Sequence, residues 1–220
     1  MDVKDGKKDG RQVSSAQAGH HPAARRPSQS RGQARVDAIL DTAAAIIAGE
    51  GLAALTMHGL ARRAQTSIGS LYHFFPDRDS VMRALIDRHE AAGREINLAL
   101  SATAPNVWQQ FSPAEAIARV VGPYIDYVQN HPDFFALMQG RRLSENFIGA
   151  VRTLLSARLP TLGAADRERY AAMFHAIASG VMQMVFVREP EHVSFYMDEV
   201  PRVLAAYLAE IEAAIGGIRL

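Results

Sequence analysis

Cysteine is absent and tryptophan occurs once among the 220 residues. Without thiols there can be no disulfide framework, thiolate metal site or cysteine nucleophile. No apolar run approaches the roughly 20 residues that cross a bilayer, and the polar opening lacks the apolar stretch of a signal peptide. A soluble, cytoplasmic protein with no membrane partner is expected. The eight histidines form no His-x-x-x-His pair and no Glu-x-x-His repeat. Walker loops, Gly-x-Ser-x-Gly elbows and dinucleotide-binding glycine patterns are likewise missing. The expectation is therefore no metal, no cofactor and no enzymatic activity.

Charge is nearly balanced overall at +1 but is unevenly placed. Residues 1–75 carry ten Lys/Arg against six Asp/Glu, whereas residues 76–220 carry fourteen against seventeen. Only the front of the chain is basic, which directs any polyanionic partner there.

Residues 1–30 are rich in Gly, Ser, Gln, Lys and Arg and hold no Leu, Ile or aromatic residue. Such a stretch cannot bury enough apolar area to offset its ordering entropy, so a disordered basic arm is expected. Its Arg25 and Arg26, with Arg31 and Arg35 beyond, could follow a DNA backbone or enter a minor groove. From Arg31 onward, Ile39, Ala43, Ile46 and Ile47 recur at helical spacing, and Glu50-Gly51 ends that helix. Thr56 suits the N-cap of a short second helix with Leu60, Ala61 and Ala64 inward, and Ser67 that of a third helix, which Pro76 stops. Beyond Pro76 the pattern stays helical, with segments at about 77–99, from Ser112-Pro113, from Phe134, and at about 144–159, 166–187 and 191–215. No strand-like alternation occurs. The expected fold is all-α, with a helix-turn-helix domain at 31–76 and a larger helical domain at 77–220.

The stretch from Thr66 to Val81, "TSIGSLYHFFPDRDSV", carries the functional signal. A helix-turn-helix reads DNA with a second helix held proud of its body, so that residues near its start reach base edges in the major groove. The two helices need a small residue where they meet, which Ala61 and Ala64 supply. Leu71 and Phe75 would anchor the second helix, leaving Ser67, Gly69, Ser70, Tyr72 and His73 to project outward.

The segment "LARRAQTSIGSLYHFFPDRDSV" resembles the DNA-binding region of the TetR family of bacterial transcriptional regulators. Leu60-Ala61, Ser67, Gly69-Ser70-Leu71-Tyr72, Phe75, Arg78 and Val81 match that family's pattern in order, and the likeness extends over about 50 residues, Arg31 to Val81. It implies that Thr56, Tyr72 and Arg78 hold phosphates of a double-stranded DNA operator, and His58 is expected among the DNA-binding residues without a stated role. Ser67, Ile68, Gly69, Ser70 and His73 would then face bases or the nearby backbone. Three positions depart from the pattern. Gln65 replaces the common turn glycine, so either it takes a positive φ at some cost or the turn differs. Arg78 stands for the usual Lys, and Phe74 for a residue that often donates to phosphate.

The larger domain is rich in aromatic residues and Met. Trp108, Phe111, Tyr124, Tyr127, Phe134, Met138, Phe147 and Phe174 suit an apolar cavity, with His175, Gln183 or Arg142 as polar handles. Together with the resemblance they imply an apolar or amphipathic small-molecule effector. Ala172, Ala176, Ser179 and Met182 form one stripe near the end, and Leu204, Tyr207, Leu208 and Ile211 another. The resemblance implies that these two helices meet their mates in a homodimer facing a pseudo-palindromic operator. Such a protein would most often be a repressor released by its ligand. The rival reading is a helical carrier of apolar ligands without specific DNA binding.

Overall fold

The computed structural model describes residues 27–138 and 145–216, and every regular element among them is helical. Ten α-helices follow one another: α1 Pro27–Glu50, α2 Met57–Arg63, α3 Ile68–Phe74, α4 Arg78–Ser101, α5 Pro105–Gln110, α6 Pro113–Asn130, α7 Phe134–Met138, α8 Glu145–Arg158, α9 Ala164–Arg188 and α10 Val193–Gly216. Residues 1–26 of the expected arm and Arg142 lie outside the described residues. The first helix opens at Pro27, inside the stretch expected as arm.

Local chemistry sets the helix ends. Gly51 takes a φ of 81° after α1, a conformation glycine adopts without a Cβ clash, and its N–H donates to the Ile47 carbonyl at 2.9 Å. Thr56 and Ser67 cap α2 and α3, their hydroxyl oxygens accepting from the Gly59 and Ser70 N–H groups, each at 3.1 Å. Between these helices Gln65 does adopt a positive φ, 50°. The turn therefore keeps its left-handed geometry without glycine, at a cost of about 1 kcal/mol or somewhat more. Reciprocal bonds between Asp77 and Ser80, and between Ser112 and Glu115, open α4 and α6.

Two apolar cores result. The first gathers Ile39, Ala43, Ile46 and Ile47 of α1, Leu60 and Ala61 of α2, Leu71 and Phe75, and Val81, Leu85 and Ile86 of α4. The second lies among α5, α6 and α8–α10 around Trp108, Ile117, Leu154, Leu155, Phe174 and Leu204. It is braced by Arg158, which pairs with Glu212 of α10 and donates to the Trp108 and Phe111 carbonyls, both at 2.6 Å. Helix α4 spans both cores, with Leu85 in the first and Leu100 in the second. Short α7 adds Leu137 and Met138 to the first core, although it follows the proposed domain boundary by nearly 60 residues.

Candidate DNA-reading face and effector cavity

Helix α3 is pinned from beneath by Leu71, which is fully buried, and by Phe75. Its other side faces solvent: Ser67, Gly69 and His73 are exposed, and Tyr72 keeps 45% of its surface open. Thr56 and His58, at the start of α2, are exposed as well. A large aromatic left open on a short helix next to hydroxyl, imidazole and glycine positions is a surface shaped for contact rather than for a core. The capping use of Thr56 and Ser67 consumes only an acceptor site, so both hydroxyl protons stay free to donate.

Three residues expected on this face are placed differently, the first being Ser70, half-buried in the first turn of α3 where its N–H donates to the Ser67 hydroxyl. Ile68 is half-buried and packs against the first core, because a β-branched aliphatic chain at the helix start gains more from apolar contact than from water. Arg78 is also half-buried, and its Nη2 donates to the Leu52 carbonyl at 2.6 Å, tying α4 to the turn after α1. Part of its donor capacity thus belongs to the fold.

A cavity of about 450 Å³ opens among α4 and α6–α10. Six residues expected to line it do so: Tyr124, Tyr127, Phe134, Met138, Phe147 and His175. Three others do not. Trp108 and Phe174 are wholly buried in the second core, and Phe111 packs against it beneath Arg119. The bulkiest apolar side chains gain most from full burial, which draws them into the core and away from an open wall. Ser179 and Met182, expected at a dimer face, belong to this cavity instead.

Leu204, Leu208 and Ile211 likewise turn inward, each at most 4% exposed, and Tyr207 packs beside them on Phe174 at 5.1 Å between ring centroids. The outward sides of α9 and α10 carry Ala172, Ala176, Met173 and Met184, and Phe195 and Val203. An apolar stripe on a helix records that one side is covered but not by what, and here the chain's own core covers it.

One constellation beside the cavity is not apparent from the sequence. His89 of α4 is buried, with Nε2–H donating to Asp133 Oδ2 at 3.0 Å and Nδ1 lying 2.7 Å from the Tyr127 hydroxyl. Because a carboxylate only accepts, the Asp133 bond assigns a proton to Nε2, and the Tyr127 hydroxyl donates to Nδ1 when the ring is neutral and accepts from it when the ring is charged. Burial pushes the Asp133 carboxyl up, but the His89 hydrogen bond and the His89 and Arg88 charges outweigh it and hold the carboxyl below its ordinary value. Burial raises the Tyr127 hydroxyl to about 12. His131 stacks on Tyr127 at 4.0 Å, closing the cluster from its far side. The only sequence signal for His89 is its spacing, four residues after the buried Leu85.

Helix α7 separates the cavity from the first core. Phe134, Phe135 and Met138 line the cavity, while Leu137 and Met138 are buried among the residues beneath α3. Phe135 also stacks on Phe186 of α9 at 3.8 Å. Any molecule that alters this wall therefore bears on the packing that positions the α2–α3 pair.

Residues 39–85 match the family description "Bacterial regulatory proteins, tetR family", and residues 112–208 match "Tetracyclin repressor-like, C-terminal domain". Among solved structures, a TetR-family transcriptional regulator from Streptomyces coelicolor is similar at 25% identity, with a TM-score of 0.60 over 82% of this chain and 99% of the other. The SmeT–triclosan complex aligns at 19% identity and a TM-score of 0.57 over 80% of this chain and 91% of that one. A regulator from Pectobacterium atrosepticum aligns at 16% identity and 0.57 over 85% and 96%. No curated protein matches.

Proposed function

The chain belongs to the TetR family of bacterial transcriptional regulators, and from that premise we propose that it is a homodimeric repressor released from a pseudo-palindromic operator by an apolar or amphipathic small molecule. Such a protein regulates transcription and is not an enzyme. Among the described residues no helix is long and apolar enough to cross a membrane, and a reader of bacterial operators works in the cytoplasm.

The observation that carries the reading is the shared wall: α7 contributes to both the cavity and the core under α3. Two recognition helices must stand about 34–36 Å apart to enter successive major grooves. A ligand that favours a different setting of α4 and α7 changes that spacing, and the operator affinity falls by the factor by which operator weakens ligand binding. In this scheme Tyr72 and Thr56 hold phosphates, with part of Arg78, while Ser67, Gly69, Ser70 and His73 face bases. The dimer forms on the outward sides of α9 and α10, where Ala172 and Ala176 permit close approach and Met173, Met184 and Val203 supply apolar area.

Selection of genomic fragments by the purified protein tests the reading. The expected result is a palindromic site bound at nanomolar concentration, with Tyr72→Phe and His73→Ala each weakening it while the circular dichroism spectrum is retained. Light scattering of the same preparation should give twice the chain mass. No enrichment by an intact dimer, or unchanged affinity in both variants, would reject it.

A further inference from the structure

The cavity is not uniformly apolar, and its polar atoms are unequally engaged. Tyr127 has spent its hydroxyl on His89. The Tyr124 hydroxyl, one helical turn earlier on α6, is buried and has no hydrogen-bond partner among the described residues. Leaving a phenol donor buried and unpaired costs free energy, so a group that pairs with it gains more than a hydrogen bond formed in water. The Tyr124 ring is held edge-on against Phe147 at 5.3 Å, and Phe147 in turn lies 6.1 Å from the His175 ring. Tyr124 and His175 are thus both neighbours of the Phe147 ring in the cavity wall.

Charge is sorted across the same cavity. The charged side chains among its exposed lining residues are Glu90 and Arg94 of α4, which pair with each other, and Glu145 at the start of α8. The α6 and α9 walls contribute Val121, Tyr124, Ile125, His175, Ser179 and Met182, none of them a full charge at neutral pH. Burial pushes the His175 imidazole below its ordinary value, so the ring stays neutral there and offers one donor and one acceptor. Burial likewise pushes the Tyr124 hydroxyl well up, which keeps it protonated. A carboxylate head pressed between these walls would lose its water without meeting a counter-charge on them.

We propose that Tyr124 is the specificity-determining residue of this cavity, and that with His175 it selects an uncharged effector, a hydroxyl-bearing head on an apolar body. The hydroxyl of such a molecule can accept from the Tyr124 O–H, and the neutral imidazole offers a further donor or acceptor to the same head without demanding a charge, while its apolar part lies against Phe147, Ile125 and Met182. This deepens the reading of the cavity as the effector site and rests on it.

Calorimetric titration of the full chain with three probes sharing one body separates the possibilities: 4-butylphenol, butylbenzene and 4-butylbenzoate at neutral pH. The expected order of affinity is phenol, then hydrocarbon, then carboxylate. Tyr124→Phe, which keeps the ring against Phe147, should remove about five- to tenfold of the phenol's advantage and leave butylbenzene unchanged. His175→Leu should lower the phenol affinity in the same direction. Tightest binding of the benzoate, or a phenol advantage untouched by Tyr124→Phe, overturns the proposal while butylbenzene binding leaves the apolar cavity standing. Binding of none of the three, by protein that still holds its operator, would remove the cavity reading and this proposal together.

Discussion

His89→Ala lowers the stability of the folded chain by about 3–5 kcal/mol, the cost of removing one partner of a buried hydrogen-bonded pair. Asp133 is 2% exposed and would lose the Nε2–H donor, and the Tyr127 hydroxyl would lose its partner in the same step. By contrast, the Arg88–Asp41 pair one residue earlier joins α4 to α1 at a site where the Asp41 side chain is 71% exposed, and its loss should cost less than about 1 kcal/mol. Urea unfolding decides the matter: the midpoint should fall sharply with little change of slope.

The pH dependence adds a sign to that magnitude. In the native protein the Asp133 carboxyl is held below its ordinary value of 3.8. Its contribution is therefore complete above that value and is lost as pH falls through the folded pKa. Without His89 two of the lowering causes disappear and burial acts on the carboxyl, pushing it up. The folded variant then binds the proton more readily than its unfolded chain, so its deficit relative to the native protein should shrink on acidification. A deficit of under 1 kcal/mol, or one that grows as the pH is lowered, would mean that His89 and Asp133 do not act as a pair.

That cluster also marks where sequence reading stops. Helix ends were legible because their causes are local: Thr56, Ser67, Asp77 and Ser112 each lie within three residues of the N–H they cap. The pairing of His89 with Asp133 joins residues 44 apart, and no spacing rule announces it. Helix α5 escaped notice because six residues, Pro105–Gln110, are too few to display a period. The outward side of α3 was legible for a different reason, since Leu71 and Phe75 fix which side must be buried and so leave Gly69, Tyr72 and His73 open. In α10 the same reasoning named the right stripe and the wrong neighbour. Periodicity assigned Leu204, Leu208 and Ile211 to a covered side, but the cover is the second core of their own chain. The cavity fell between these cases: aromatic content located the right domain, and only packing separated wall residues such as Tyr124 from core residues such as Trp108.

Gly69→Ala should make the protein more stable and a far poorer DNA binder. Gly69 lies in the first turn of α3, and a Cβ added there meets no atom of the chain within 4 Å. Replacing glycine by alanine in a helix gains up to about 0.8–1 kcal/mol where nothing clashes. The space that is open in the isolated chain is, however, the space that DNA would enter under the proposed docking of α3 in the major groove. A methyl group there holds the helix off the base edges and disturbs at least two contacts, each worth about 1–3 kcal/mol. Operator affinity should then fall on the order of a hundredfold. Gly122→Ala is the matched control, because its Cβ also meets nothing within 4 Å but sits in α6, away from the reading face. It should leave operator binding unchanged. A folding defect weakens stability and binding together, whereas blocked contact separates them, so a rise in melting temperature with collapse of operator binding can come only from the surface of α3. If Gly69→Ala kept its operator affinity within twofold, α3 would not be the helix that reads the operator, and the roles given to Tyr72 and His73 would fall with it.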